Sequence, residues 1–205
     1  MDKYHLSARK ARLCRIAGAV FLLLAICNVA QAFVISLWPA PVFDCKTGCR
    51  WRSDPAGMLD NDERLKVAAS PEAERRLSAH VSRPIVRAGL LGVVLIGSLP
   101  FALLLLGVGA ALRHLGHRSP NPLGRALQWL RRASLAAIVW AIAQPVSASL
   151  RASLLSLGTP SGGYWYIMVD FADVGIGLML AMAAYATIWA LEAGIRAERE
   201  LADFV

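Results

Sequence analysis

The sequence predicts an all-α protein, an integral membrane four-helix bundle with one extracytoplasmic loop that contains a short helix. Hydrophobic residues make up 57% of the 205 residues, which exceeds the roughly 45–50% apolar share of soluble domains. Charged residues make up only 18% and are concentrated in a few segments between long apolar runs. Four of these runs approach the length of about 20 helical residues that crosses a bilayer core about 30 Å thick.

The formal net charge of +8 has two interpretations. In a soluble protein such an excess of Lys and Arg would favour nucleic acid as the partner, because phosphate neutralisation dominates that affinity. Beside transmembrane helices the same residues set the orientation and contact anionic headgroups. Since the apolar runs predict a membrane protein, we expect a lipid bilayer with anionic headgroups as the partner and no nucleic acid.

The first apolar run, residues 16–38, follows a basic head over residues 1–15 that carries five Lys and Arg side chains. Ala30-Gln31-Ala32 is similar to the cleavage site of a signal peptide. The apolar run continues beyond it to Trp38-Pro39, which combines an interface anchor with a helix stop. We therefore expect an uncleaved first span, with cleavage as the alternative.

Residues 39–87 form the one long polar segment, with seven acidic and nine basic side chains. Within it, Ser70-Pro71-Glu72 supplies an N-cap, a proline at the first helical position and an early acid, which are the signals of a helix start. These signals predict a short surface helix over residues 71–82, with Leu77 and Val81 on one side.

The other long apolar runs predict three more spans, at residues 88–112, 133–150 and 171–191. Pro100 lies inside the second span, and Gln144-Pro145 lies inside the third. Proline is tolerated there because neighbouring helices or water can satisfy the freed carbonyl groups.

Residues 113–132, between the second and third spans, contain five arginines and no acidic residue. A helix that restarts at Pro122 is expected to lie along the headgroup plane, with its arginines near anionic lipid. A short outer loop over residues 151–170 and a tail over residues 192–205 complete the chain. We find no heptad pattern.

Basic residues near the ends of the spans predict the orientation. The head and the segment 113–132 carry five basic residues each, and the loop 151–170 carries one. Because Lys and Arg accumulate on the cytoplasmic side, both termini are predicted inside and the 39–87 loop outside. The nine basic residues of that loop count against this orientation, but long loops translocate with less regard to charge.

Cys45 and Cys49 lie in the loop that is predicted to face an oxidising compartment, where a disulfide can form. A spacing of four residues closes if Lys46-Thr47-Gly48 makes a turn, within narrow geometric limits. Two free thiols and a metal site remain as alternatives, although a metal would need further ligands that no spacing supplies. Cys14 and Cys27 have no visible partner in the sequence.

Asp170 and Asp173 lie at the outer end of the fourth span, where they share a helix face. Ionisable groups inside a membrane are costly and mark functional sites. Together with Arg151 and Gln144 they form a candidate intramembrane polar site for a proton, a cation or a ligand. The alternative is structural, because acids suit the first turn of a helix and Arg151 can pair with one of them.

The chain contains no nucleophile elbow, metalloprotease motif or phosphate-binding glycine loop. His114 and His117 are three residues apart, but the flanking arginines would repel a cation. His80 and the loop carboxylates could act together, although a solvated loop helix explains them better. We therefore expect no enzyme activity, no cofactor and no metal.

The end of the chain carries four residues with a recognisable spacing: Gly194, Arg196, Glu200 and Val205. This spacing resembles the last segment of a bacterial family of small four-helix membrane proteins of unknown function, the YoaS-like family. The resemblance extends over residues 85–205 and includes the basic loop before the third span. Ala197 departs from the family pattern, which has a leucine there. The resemblance implies a regulatory pairing and no known enzyme activity.

Two functions agree with these patterns. The first is a non-enzymatic inner-membrane protein that binds a cytoplasmic regulatory protein or serves membrane-linked regulation. Its predicted partner face consists of three residues of the tail: Arg196, Glu198 and Glu200. The alternative is a small transporter or channel component with a polar route near Asp170, Asp173 and Arg151, which would need a homo-oligomer because four spans are few.

Overall fold

The computed structural model describes residues 8–39, 41–45, 49–116, 122–165, 167 and 171–203. Its elements in chain order are α1 (Ala8–Leu37), β1 (Pro41–Asp44), β2 (Arg50–Ser53), a 3-10 turn (Pro55–Met58), α2 (Asn61–Ala68), α3 (Pro71–Ser82), α4 (Pro84–Gly116), α5 (Pro122–Ser156) and α6 (Phe171–Asp203). The predicted all-α fold is confirmed, and one two-stranded hairpin accompanies the helices.

Four of the described helices, α1, α4, α5 and α6, are long and apolar enough to cross a membrane. The chain is a multi-pass membrane protein. The longest of the four, α5, has 35 residues, which corresponds to about 52 Å at 1.5 Å per residue. Because a bilayer core is only about 30 Å thick, the helix must project beyond the hydrocarbon region.

The prediction of a separate headgroup helix before the third span is wrong. α5 runs without interruption from Pro122 to Ser156, so the expected headgroup helix is the first part of the spanning helix. Pro122 stands at the start, where its missing N–H group has no helical partner to lose. From residue 123 to residue 132 the chain is rich in Leu and Arg, which are strong helix formers.

The chain divides into two compact units, and the first comprises residues 1–27, 100–142 and 171–205. Small residues bring its helices together. A Cβ atom added at Gly18 of α1 would lie 2.7 Å from the carbonyl oxygen of Gly109 in α4. One added at Gly177 of α6 would lie 2.8 Å from the Cβ atom of Ala141 in α5. Close backbone approach of this kind is typical of membrane helices, because apolar side chains gain little by leaving lipid.

Small buried residues recur along α1 at intervals of seven, at Gly18, Ala25 and Ala32. The expectation that the sequence lacks a heptad pattern concerns apolar residues, and this spacing of small residues does not contradict it. The repeat is one of small size, and the positions between these residues include the polar side chains of Asn28 and Gln31.

The second unit comprises residues 28–99 and 143–170. It contains a small packed region, here called the cap, which consists of the Pro55–Met58 turn, α2 and α3. Val67 of α2 and Leu77 and Val81 of α3 are buried against Leu90 of α4 and Leu155 of α5. The predicted helix over residues 71–82 is confirmed as α3.

The 39–87 loop holds more structure than the single helix expected from the sequence. α2 begins after Asp60, whose carboxylate accepts a hydrogen bond of 3.1 Å from the backbone N–H of Asn61. Asp62 and Glu63 follow in its first turn, where negative charge favours the positive end of the helix dipole. The loop is therefore a folded region that packs on the ends of two long helices.

Candidate functional site

The strands β1 and β2 form an antiparallel hairpin between α1 and the cap. Phe43 pairs with Trp51 across the two strands. A disulfide joins Cys45 to Cys49 just beyond the paired residues, which is the first of the three arrangements that the sequence left open. An isolated two-stranded hairpin is only marginally stable in water. The cross-link holds the hairpin together because it restricts the unfolded chain.

The hairpin exposes aromatic surface. The rings of Phe43 and Trp51 contact each other with centroids 5.2 Å apart. Even so, Phe43 is 54% and Trp51 58% exposed, and Val42 is 45% exposed on the opposite face. In the described part of the chain no third strand pairs with this sheet, so each strand offers one edge with unpaired backbone groups.

Glu63 fastens the cap to the turn that follows α5. Its side chain is buried, with the residue only 7% exposed. Its carboxylate accepts hydrogen bonds of 3.1 Å from the hydroxyl group of Ser161 and of 2.8 Å from the ammonium group of Lys66. Ser161 is held in the turn beside Gly162, whose φ of 81° favours glycine. A buried carboxylate with such partners joins two segments that are far apart in the sequence.

His80 makes a second connection between the cap and the end of α5. Its Nε2 atom lies 3.3 Å from the carbonyl oxygen of Leu154. Since a carbonyl group only accepts, Nε2 carries the proton and donates it. The amide of Gly158, which would continue the helical ladder to Leu154, bonds to Leu155 instead. His80 thus satisfies a carbonyl group at a helix end, and its side chain is half-buried and not fully solvated.

A cleft of about 150 Å³ with several charged and polar residues in its lining lies where the cap meets α5. Asp60 and Glu63 line it from the cap, and Arg151, Ala152 and Ser156 line it from α5. Arg151 is exposed. The cleft therefore has charges of both signs in its lining, and no local sequence pattern indicates that Arg151 shares a cleft with the loop carboxylates.

The structure describes only some of the residues of the predicted intramembrane polar site. Asp170 lies outside the described residues, and the side chain of Asp173 in α6 also lies outside the description. Pairing of either acid with Arg151 therefore stays a prediction. Gln144 is half-buried in α5, and its backbone carbonyl oxygen accepts a hydrogen bond of 2.9 Å from the hydroxyl group of Ser147.

The other predicted residues are placed as follows. Cys14 is half-buried and Cys27 is exposed, and both are free thiols. His114 lies in the last turn of α4, whereas His117 lies outside the described residues. The partner-face residues of the tail belong to α6, but their side chains lie outside the description: Arg196, Glu198 and Glu200.

Among the described residues, no group of three or more His, Cys, Asp or Glu side chains is arranged to hold a metal ion. Glu63, Phe43 and Trp51 are the site residues that sequence reasoning missed. The run of Asp60, Asp62 and Glu63 did carry a signal, because acids next to an N-cap mark the first turn of a helix. In comparisons with known proteins, no family model, curated protein or solved structure matches the chain.

Proposed function

We propose that this chain is a non-enzymatic protein of the bacterial inner membrane that binds a protein partner and serves membrane-linked regulation. Both termini are placed in the cytoplasm, and the hairpin and the cap lie on the outer side. The disulfide between Cys45 and Cys49 supports this placement, because disulfides persist in oxidising compartments and are rare in the cytoplasm.

The observation that carries the proposal is the exposed pair of Phe43 and Trp51 on a cross-linked hairpin. Tryptophan and arginine are enriched among the residues that dominate binding energy at interfaces. The unpaired strand edges offer main-chain hydrogen bonds to an extended segment of a partner. The hairpin thus combines main-chain and aromatic binding groups on a rigid support.

The alternative function, a small oligomeric transporter or channel component, is favoured by one observation. Arg151, Asp60 and Glu63 line the same cleft, and clustered charges are typical of the entrance to an ion or solute pathway. The route through Asp170 and Asp173 stays a prediction. This function would require flux that depends on Arg151, whereas partner binding requires only the hairpin.

Site-directed photo-crosslinking in intact cells tests the proposal. Pro41 is replaced by a photoreactive amino acid, because it is exposed and lies on the same strand face as Phe43. We expect a discrete protein adduct, which becomes at least about tenfold weaker with Trp51→Ala because loss of a dominant interface residue costs about 2 kcal/mol. An adduct with the mass of two chains identifies a second copy as the partner.

The control places the photoreactive residue at Leu65, which is 70% exposed on α2. This position lies on the cap and not on the hairpin, so it should give no comparable adduct. Adducts with lipid alone, or adduct yields that Trp51→Ala does not change, would contradict the proposal. The hairpin would then be an aromatic anchor in the headgroup region.

A further inference from the structure

A groove of about 720 Å³ runs between α5 and α6 within the first unit. Apolar side chains form most of its walls, and polar side chains lie towards one end. The residues of α5 that line it are Arg131, Ser134, Leu135 and Ile138. The residues of α6 that line it include Leu178, Met182, Tyr185, Trp189 and Glu192.

The groove begins beside the close contact of the two helices. Gly177 of α6 and Ala141 of α5 approach so closely that an added Cβ atom would lie 2.8 Å from the alanine side chain. The α6 wall extends from Leu178 to Glu192, which is about 21 Å at 1.5 Å per residue. This length is slightly more than one leaflet of a bilayer core that is about 30 Å thick.

The predicted spans put the polar end of the groove at headgroup level. Arg131 and Glu192 line this end, and they lie within two residues of the predicted third span (133–150) and fourth span (171–191). No ion pair joins the two side chains in the described part of the chain, although both border the same groove. The hydroxyl group of Ser134 donates to the backbone oxygen of Arg131 at 2.9 Å. One cationic and one anionic group thus remain for a bound headgroup.

The neighbouring arginine has a different role. The guanidinium group of Arg132 lies 5.1 Å from the ring centroid of Trp129, in a cation–π contact on the same helix. Arg132 does not line the groove, whereas Arg131 does. The two arginines therefore form a matched pair for experiments. They carry the same charge and are adjacent in α5, but only Arg131 lines the groove.

We propose that this groove binds one phospholipid with a zwitterionic aminoethyl-phosphate headgroup. An acyl chain fills the apolar part, the phosphate contacts Arg131, and the ammonium group contacts Glu192. Arginine binds phosphate oxygens through paired charge-assisted hydrogen bonds.

Native mass spectrometry of the full chain in detergent tests the site, with phosphatidylethanolamine and phosphatidylglycerol as probes. We expect one tightly held phosphatidylethanolamine per chain, bound about tenfold more tightly than phosphatidylglycerol, which has no ammonium group. Glu192→Gln should remove this preference. Arg131→Gln should weaken both lipids about tenfold, and the matched control Arg132→Gln should leave both unchanged.

A second pair of variants tests the acyl-chain part of the groove. Ala186 lines the groove and Ala183 does not, although both are exposed on α6. Ala186→Trp should displace the retained lipid, whereas Ala183→Trp should leave it bound. Equal affinity for the two lipids, or a preference that survives Glu192→Gln, would overturn the proposal. Loss of a dimer in Ala186→Trp with lipid retention unchanged would show that a second copy occupies the groove.

Discussion

At the scale of single residues, Gly18 allows the backbones of α1 and α4 to touch. An added Cβ atom would lie 2.7 Å from the carbonyl oxygen of Gly109, and a backbone atom cannot move aside as a side chain can. Gly92 of α4 is a natural comparison, because a Cβ atom there would meet nothing within 4 Å. The two glycines differ in their surroundings and not in their secondary structure.

We expect Gly18→Ala to destabilise the protein by about 1–3 kcal/mol, the usual cost of overpacking. Gly92→Ala should stabilise it by up to about 1 kcal/mol, because alanine favours the helix and no atom opposes it. Thermal unfolding in detergent, followed by tryptophan fluorescence, measures both changes. Equal melting temperatures for the two variants would contradict the close contact of α1 with α4.

Individual site residues were only partly predictable from the sequence. The spacing of Cys45 and Cys49 indicated a disulfide among other arrangements, because a local constraint is visible locally. The partners of Glu63 and His80 were not predictable, since Ser161 and Leu154 lie far along the chain. Such contacts depend on how the cap packs against α5, which no local pattern specifies.

At the scale of elements, α3 shows how much a short helix depends on its packing. The helix has 12 residues, and isolated helices shorter than about 12–15 residues are marginal in water. Leu77 is fully buried and contributes to the shared core with α4 and α5. Most of the stability of α3 must therefore come from this core.

Leu77→Ala should destabilise the cap by about 2–5 kcal/mol, because it removes buried methyl groups and leaves a cavity. The control Leu65→Ala changes a side chain that is 70% exposed on α2, and it should have an effect within about 0.5 kcal/mol. Hydrogen exchange of residues 61–82 in detergent measures the difference. We expect exchange at least about 30-fold faster in Leu77→Ala, and unchanged exchange would show that the cap does not depend on this core.

The elements differ in how clearly the sequence predicts them. The four spans and α3 were visible, because long apolar runs and Ser70-Pro71-Glu72 are strong signals. The hairpin was not visible, because each strand has only four residues and β2 alternates charge with one aromatic. The continuity of α5 is not evident from the sequence, because the composition changes from basic to apolar along it, although arginine is a strong helix former.

At the scale of the whole molecule, the orientation of the chain connects its parts. If the termini are cytoplasmic, the cap and the Cys45–Cys49 disulfide lie in an oxidising compartment. In the reverse orientation the disulfide would face a reducing cytoplasm. Two independent physical causes therefore predict cytoplasmic termini. One is the distribution of Lys and Arg along the chain, and the other is the chemistry of the cysteines.

Cysteine labelling of intact cells with an impermeant thiol reagent tests this orientation. Cys14→Ala and Cys27→Ala remove the free thiols and leave the disulfide intact. A single cysteine is then introduced at one of three exposed positions in each variant. Ala69 lies between the two helices of the cap, and Gly124 of α5 and Gly194 of α6 lie at helix ends that are predicted to be cytoplasmic.

We expect Ala69→Cys to label in intact cells, and Gly124→Cys and Gly194→Cys to label only after permeabilisation. The parent without added cysteine controls for reaction at Cys45 and Cys49, which should stay unlabelled while they are bridged. If Gly124→Cys labels from outside and Ala69→Cys does not, the orientation is reversed. The hairpin partner would then be cytoplasmic, and the bridge between Cys45 and Cys49 would not persist under reducing conditions.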